Sequence, residues 1–309
     1  MANAKKTRAK QPKKVRDDRP VKLSVGVFEH TSRSCMFFWR NRMLFVRYLF
    51  VMWLIFMLVV GASQQTQYLS NRDSAEAYGL SVAKGGERII IEFGVIAVAI
   101  ATGGNNAGFS ETQRIVVWLL YIGFVLIALW LMRNRAAGKP VSIRDGFYNA
   151  MTPLIPFTMI IAIGLLQLLP LAVASVIYAT AVSTLQGGAW FWIVLALIIT
   201  AGVATFYWMI STLFALIIST LPGTYPLAAL RSARGLVVGL RSMIIVRLMW
   251  LALVALISLG LGIVLVIVID SIGGSVLVAS LVQLMVLTIV LYCIGYIYLL
   301  YREIIDARE

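Results

Sequence analysis

The chain has 309 residues, of which 61% are hydrophobic and only 13% are charged, and its mean hydropathy is +0.90. Soluble domains carry roughly 25% charged residues, so this composition indicates an integral membrane protein. Apolar runs recur from residue 43 onward and leave no room for an ordinary soluble catalytic domain, on the order of 100 residues. Cys35 and Cys293 suggest neither a disulfide framework nor a zinc knuckle, and the single histidine, His30, cannot build a metal site alone.

The N-terminal part of the chain is strongly basic. Up to residue 42 it carries 12 lysines and arginines against Asp17, Asp18 and Glu29. Such a composition cannot bury enough apolar surface to offset chain entropy, so residues 1–23 are predicted to form a disordered basic tail and residues 24–309 a membrane domain. No specific nucleic-acid partner is expected. Anionic lipid headgroups are favoured instead, because a tethered tail gains about 1 kcal/mol per basic residue near a negatively charged leaflet.

Six apolar stretches are long enough to cross a hydrocarbon core of roughly 30 Å. They predict helical spans over residues 43–61, 115–132, 153–181, 189–220, 248–269 and 276–300. The small residues after the first stretch resemble a signal-peptide cleavage site. However, the segment before this stretch and the stretch itself are both too long for a signal peptide, so we expect a retained span. The third and fourth stretches exceed one bilayer thickness and should tilt or project, with a kink at Pro170 in the third.

Residues 89–102 form a shorter apolar stretch, and it contains Glu92. If this stretch crossed the membrane, the basic loop at 133–144 would lie outside, against the bias that retains lysine and arginine on the cytoplasmic side. If it does not cross, 23 of the 27 basic residues lie on the cytoplasmic side. We therefore predict a multi-pass protein of the plasma membrane with both termini cytoplasmic. Residues 62–114 then form an external excursion, whose apolar part packs on the bundle or enters the membrane partway.

A short segment that mixes apolar and basic residues precedes the first, third and fifth spans. This pattern predicts an all-α transmembrane bundle of three units, each a cytoplasmic interfacial helix followed by a hairpin. The clearest case is a helix over about 226–242. At about 100° per residue, Arg231, Arg234 and Arg241 share one face, while the opposite face carries Ala229, Ala233, Leu236 and Leu240. The three arginines are candidate contacts to lipid headgroups; the alternative is an ordinary connecting helix that obeys the charge bias.

Two cytoplasmic segments, IRDGFYNAMTPLIPF before the third span and LAALRSARGLVVGLRS before the fifth, carry a family resemblance. With six spans, they resemble the glycerophosphoryl diester phosphodiesterase membrane-domain proteins and related uncharacterised bacterial six-helix proteins. A pattern of the type ALxxSxxLVxGR is matched, with one position slipped, by Ala229, Leu230, Ser232, Leu236, Val237, Gly239 and Arg241. The resemblance covers residues from about 139 onward, with a weaker similarity at 28–50, and implies a membrane fold with an accessory role. It implies no chemistry, because the phosphodiesterase activity of that group belongs to a separate soluble barrel.

Few ionisable residues fall within the apolar stretches, where they would be functional candidates. We interpret Glu92 as a half-buried carboxylate that faces water or pairs with Arg88, and Asp270 as a turn residue at the start of a tight hairpin. Arg47 lies one turn inside the first span and can extend to the cytoplasmic surface. No pair of carboxylates and no Ser, His and Asp set is spaced for catalysis, so we expect no catalytic residue, metal site or cofactor.

The sequence favours a non-catalytic membrane scaffold, or an accessory protein in envelope or lipid processes. The alternative is a transporter or permease, because repeated hairpins are common in transporters and the long third and fourth helices could line a cavity. Scarce buried charge argues against that alternative. An intramembrane enzyme would need a catalytic dyad that the sequence does not offer. The sequence does not identify a protein partner.

Overall fold

A computed structural model describes residues 26–59, 111–184, 189–221, 223–270 and 275–308. All nine regular elements in these ranges are helices, and none of the described residues forms a strand. The predicted all-α class is therefore confirmed. The predicted basic tail at 1–23, the apolar stretch 89–102 and Glu92 lie outside the described residues.

Six of the helices are long and apolar enough to cross a membrane, as the sequence predicts. They are α2 (Arg42–Val59), α3 (Glu111–Ala136), α5 (Leu154–Thr184), α6 (Ala189–Ser219), α8 (Arg241–Asp270) and α9 (Ser275–Asp306). The predicted starts and ends follow the apolar runs, but the helices continue into their polar flanks. Helix α8 begins seven residues before the predicted start at 248, and α9 ends six residues after the predicted end at 300. Helix α5 continues through Pro170.

Three short helices precede α2, α5 and α8, in the positions that the repeated pattern predicts. They are α1 (Val27–Arg40), α4 (Ile143–Asn149) and α7 (Pro226–Val237). The Ser142 hydroxyl caps α4 by accepting a hydrogen bond from the Asp145 backbone amide at 3.3 Å. Proline at the first position of α7 suits a helix start. Helix α7 ends at Val237, short of the predicted Ser242, because Gly239 adopts a φ of 84°, which ends a right-handed helix.

Small side chains let the short helices pack closely on the long ones. Helix α1 contacts α9, α4 contacts α3, and α7 contacts α6 and α5. The buried positions on the short helices include Ser34 in α1, Gly146 in α4, and Ala229 and Ala233 in α7. A Cβ atom at Gly146 would lie 3.2 Å from the Ile127 side chain. Because small residues allow close approach of helix backbones, they hold the short helices against the bundle.

Helices α3 and α9 form the centre of the bundle. Within their spans 44% and 39% of the residues are buried, against 11 to 22% for the other four spans. Helix α2 is hydrogen-bonded to both α3 and α9. The Tyr48 hydroxyl donates to the Phe124 carbonyl at 2.6 Å, and the Trp53 indole donates to the Ser280 carbonyl at 2.9 Å. The large exposed apolar surface of the outer helices suits contact with lipid chains.

Side chains from different helices meet at one end of the bundle, where the short helices also lie. Arg135 of α3 donates to the side chain of Asn41, which links α1 to α2. Arg302 of α9 donates to the carbonyl of Ala136, the last residue of α3, at 3.2 Å. Arg308 donates to two carbonyls near the end of α7. These contacts place the start of α2 and the ends of α3, α7 and α9 side by side, and we call this region the basic end.

Candidate functional site at the basic end

A buried group of three charged or ionisable side chains joins α1, α8 and α9. Arg247 donates to both carboxylate oxygens of Glu303, at 2.7 and 3.1 Å, and His30 Nδ1 lies 2.9 Å from Glu303 Oε2. Arg247 and His30 are only 2% and 3% exposed, and Glu303 is 16% exposed. We call these three residues the buried cluster. Its bidentate geometry is the strongest form of an arginine–carboxylate contact.

Aromatic side chains enclose the buried cluster. The Tyr296 ring packs edge-on against the His30 ring with centroids 4.5 Å apart, and His30 Nε2 lies 3.3 Å from the Tyr296 carbonyl oxygen. The Trp250 indole of α8 donates to the Thr31 hydroxyl of α1 at 3.1 Å. These contacts attach α1 to the two long helices beside it. Arg247 and Glu303 carry opposite charges, and loss of either partner would disturb the packing of α1, α8 and α9 around them.

Sequence reasoning missed this cluster, since its members are far apart in the chain and no spacing connects them. Predicted span boundaries also placed Arg247 just before the fifth span and Glu303 beyond the sixth. The structure extends both helices, so that Arg247 lies inside α8. A signal was present: Arg247 interrupts the apolar run MIIVRLMW, and an arginine in such a run requires a partner.

Other arginines at the basic end bind the carbonyl groups that helix ends leave without partners. Arg133 donates to the Thr220 carbonyl just after α6 at 2.7 Å, and Arg302 donates to the last residue of α3. Arg308 donates to the Gly235 and Val238 carbonyls at 3.0 and 2.9 Å. Cations are favourable at helix C-termini, because the carbonyls there carry partial negative charge. These arginines therefore stabilise the connections between helices.

The three arginines predicted to contact lipid headgroups occupy two different environments. Arg231 and Arg234 are exposed on α7, whose opposite face is buried. Arg241 instead begins α8, where its guanidinium lies 3.7 Å from the centre of the Tyr207 ring. One of its terminal nitrogens is buried and makes no hydrogen bond to a described residue. The structure thus brings Arg231 and Arg234 together and separates Arg241 from them, because the turn at Gly239 interrupts the predicted helix.

The predicted apolar face of that helix is buried against the bundle. Ala229 and Ala233 are 1% and 0% exposed, and Leu240, which lies in the turn after α7, is also buried. Leu236 is half-buried. The arginine face and the alanine face of α7 therefore point in different directions, as the sequence indicates.

Four further arginines surround an open cleft of about 520 Å³ between the α1–α2 junction and the end of α3. The cleft also includes Asn41 and Ser142, and none of the residues that line it is acidic. We call it the arginine cleft, and its arginines are Arg40, Arg42, Arg47 and Arg135. All four are exposed. Arg47, which the sequence places inside the first span, thus reaches the surface of the molecule here.

The structure offers few groups for acid–base or metal chemistry in the part of the chain that it describes. There, no three His, Cys, Asp or Glu side chains lie close enough together to hold a metal ion. Cys35 and Cys293 are both free thiols. Asp270, the predicted turn residue, is the last residue of α8.

Comparison with known proteins does not place the chain in a family. No family model matches it, and neither does any curated protein or solved structure. The charges and contacts at the basic end are therefore the features that bear on function.

Proposed function

We propose that this chain is a non-catalytic scaffold or accessory protein for lipid or envelope processes in a bacterial cell membrane. In this proposal its partners are membrane lipids, and the basic end holds their anionic headgroups. It requires no cofactor and no specific nucleic acid. The resemblance to the membrane domains of glycerophosphoryl diester phosphodiesterases is part of the same proposal and adds no chemistry to it.

The observation that carries the proposal is the set of exposed arginines at the basic end. Among the described residues, no carboxylate forms an ion pair with Arg231 or Arg234, or with the arginines of the cleft. The short helices that carry several of these residues lie at the ends of the spans, which is where the headgroup layer of a bilayer would be. Exposed arginines at that depth attract anionic lipid at about 1 kcal/mol each.

Polar side chains within the spans support this function over a permease. The Thr212 hydroxyl of α6 donates to the Gln167 side chain of α5 at 2.7 Å, and the Gln283 amide of α9 lies 3.4 Å from the Tyr121 hydroxyl of α3. Both glutamine side chains, Gln167 and Gln283, thus connect neighbouring helices. A permease would need such groups turned toward a substrate path.

The proposal places both termini and the basic end on the cytoplasmic side of the plasma membrane. The reason is the charge bias, since arginines and lysines near span ends are retained in the cytoplasm. Single cysteines at Ala137 and Ser232, both exposed at the basic end, provide a test in a variant without Cys35 and Cys293. In intact cells neither should react with an impermeant thiol reagent, whereas both should react in inside-out vesicles. Reaction in intact cells would reverse the orientation.

Lipid enrichment tests the function itself. The full chain is reconstituted in vesicles of equal phosphatidylglycerol and phosphatidylcholine, extracted in mild detergent, and its retained lipids are quantified by mass spectrometry. We expect phosphatidylglycerol to be enriched over the bulk mixture, and less so in the Arg231→Gln/Arg234→Gln variant. Retained lipid of the bulk composition would contradict the proposal. Flux of a solute through the same vesicles would favour the transporter alternative.

A further inference from the structure

The arginine cleft concentrates positive charge that the protein does not neutralise. Four of its ten lining residues are arginines and none is acidic. Among the described residues, the side chains of Arg40 and Arg47 make no hydrogen bond or ion pair, and the Arg42 guanidinium lies 5.2 Å from the centre of the Trp39 ring. Elsewhere at the basic end, by contrast, Arg133, Arg302 and Arg308 donate hydrogen bonds to backbone carbonyls near the ends of helices. The guanidinium groups around this concave space repel one another weakly through water, and an anion between them would offset that repulsion.

The Asn41 side chain connects two of the helices that form the cleft, α1 and α3. Its side-chain amide donates to the Phe37 carbonyl at the end of α1 at 2.8 Å, and its side-chain oxygen accepts from Arg135 Nε at 2.6 Å. The two terminal nitrogens of Arg135 make no hydrogen bond to another described residue, so they remain available to a ligand. The Ser142 hydroxyl, which accepts from the Asp145 amide, can still donate its proton. Arg135 and Ser142 are thus positioned before any ligand arrives, which lowers the entropic cost of binding at these two donors.

The chemistry of these donors matches a phosphate group. Guanidinium groups donate paired N–H bonds to phosphate oxygens, and several of them can share one dianionic group. No carboxylate lines the cleft, so none is present to repel such an anion or to attract a cation. Basic pockets beside transmembrane helices commonly bind the headgroups of phosphate-bearing lipids.

The cleft continues onto exposed apolar surface of α2. Met43 and Leu44 line it together with Arg47. Along α2, Met43, Val46 and Phe50 are 65%, 60% and 58% exposed and lie on the same helix face as Arg47. A ligand whose phosphate sits among the arginines could therefore lay an acyl chain along this row. A free phosphate ion would use only the polar part of the cleft.

We propose that the arginine cleft is a binding site for the phosphate headgroup of an anionic lipid. The inference rests on the proposed function and sharpens it, because it assigns the lipid to one site and one chemical group. The phosphate lies between Arg40, Arg42, Arg47 and Arg135, and the acyl chain lies along α2. The site is distinct from the exposed face of α7 that carries Arg231 and Arg234.

Binding of short-chain lipids to the full chain in nonionic detergent tests the proposal. Dioctanoyl phosphatidic acid, dioctanoyl phosphatidylcholine and inorganic phosphate are each titrated, and occupancy is followed by native mass spectrometry. The test variant is Arg40→Gln/Arg47→Gln, since neither side chain bonds to a described residue. The control is Lys139→Gln/Arg144→Gln, which removes the same charge from exposed positions next to the cleft but outside it.

We expect one saturable site for phosphatidic acid, with at least tenfold weaker binding of phosphatidylcholine. The test variant should lose about 25-fold in affinity, from about fivefold per arginine, and the control about twofold or less. An unchanged thermal unfolding midpoint will show that the test variant is folded. Inorganic phosphate that binds as tightly as phosphatidic acid would identify a soluble phosphate compound, not a lipid, as the ligand.

Two other outcomes would overturn the inference. Equal loss in the test and control variants would mean that the whole basic surface attracts anions without a defined site. Wild-type affinity in the test variant would place the lipid elsewhere. In both cases phosphatidylglycerol enrichment that depends on Arg231 and Arg234 would leave the proposed function standing. Loss of that enrichment as well would show that the proposed function is wrong too.

Discussion

The buried cluster and the arginine cleft use the same residue type at the same end of the molecule, in opposite ways. Arg247 is 2% exposed, and both of its hydrogen bonds to Glu303 run within the protein. The cleft arginines are exposed and have no carboxylate partner among the described residues. The surroundings of an arginine, more than its position in the sequence, therefore indicate whether it supports the fold or can bind a ligand. Variants in the two regions should separate these two roles.

The largest effect is expected where the buried cluster is broken. Glu303→Gln removes the carboxylate charge that Arg247 contacts through two hydrogen bonds, which should lower the free energy of unfolding by roughly 3 to 5 kcal/mol. The matched control is Glu29→Gln, which removes an exposed i, i+4 partner of Arg33 and should cost at most about 0.5 kcal/mol. Thermal unfolding in nonionic detergent measures both. Equal midpoints for the two variants would mean that the buried cluster does not hold α1, α8 and α9 together.

An intermediate effect is expected where α7 packs on the bundle. Ala233→Leu inserts a large side chain at a fully buried position of α7 and should destabilise the protein by about 1 to 3 kcal/mol. Ala228→Leu makes the same substitution at an exposed position of the same helix and should change stability by less than about 0.5 kcal/mol. The comparison uses unfolding midpoints in one detergent. Similar values for the two variants would argue that α7 is not docked through its alanine face.

The smallest effects distinguish the three arginines that the sequence grouped together. Arg231→Gln and Arg234→Gln should each weaken association with anionic vesicles by about 1 kcal/mol at low salt and leave stability unchanged. High salt should remove most of that difference, because the charges are exposed. Arg241→Gln should instead lower stability by about 0.5 to 2 kcal/mol, through loss of its contact with the Tyr207 ring. If Arg241→Gln weakened lipid association and spared stability, the original grouping would be right.

Local sequence pattern predicted the parts of the fold that depend on local chemistry. The lengths of the apolar stretches predicted the six spans, and the short segments that mix apolar and basic residues predicted α1, α4 and α7. The two faces of α7 followed from helical periodicity. The end of α7 was harder to locate, because it depends on the backbone conformation of Gly239, and glycine also occurs inside helices.

The contacts between distant residues could not be predicted in the same way. The buried cluster joins His30, Arg247 and Glu303, and the arginine cleft brings Arg135 to Arg40 and Arg47. Such contacts arise from the packing of whole helices, and one sequence carries no signal for which helices are neighbours. Charge counting did show that arginines gather at one end of the spans. Counting charges could not show which of these arginines would form an ion pair with a carboxylate of the protein.

Ligand-dependent stability tests the contrast between the two regions most directly. Thermal unfolding midpoints are measured in bicelles of phosphatidylcholine alone and in bicelles that also contain phosphatidic acid. Because a ligand that binds the folded state stabilises it, phosphatidic acid should raise the wild-type midpoint. Most of this increase should be lost in Arg40→Gln/Arg47→Gln, where only the weaker association through Arg231 and Arg234 remains. It should persist in Glu303→Gln, although that variant starts from a lower midpoint. An increase of wild-type size in the cleft variant, or no increase in Glu303→Gln, would contradict the division between arginines that support the fold and arginines that bind lipid.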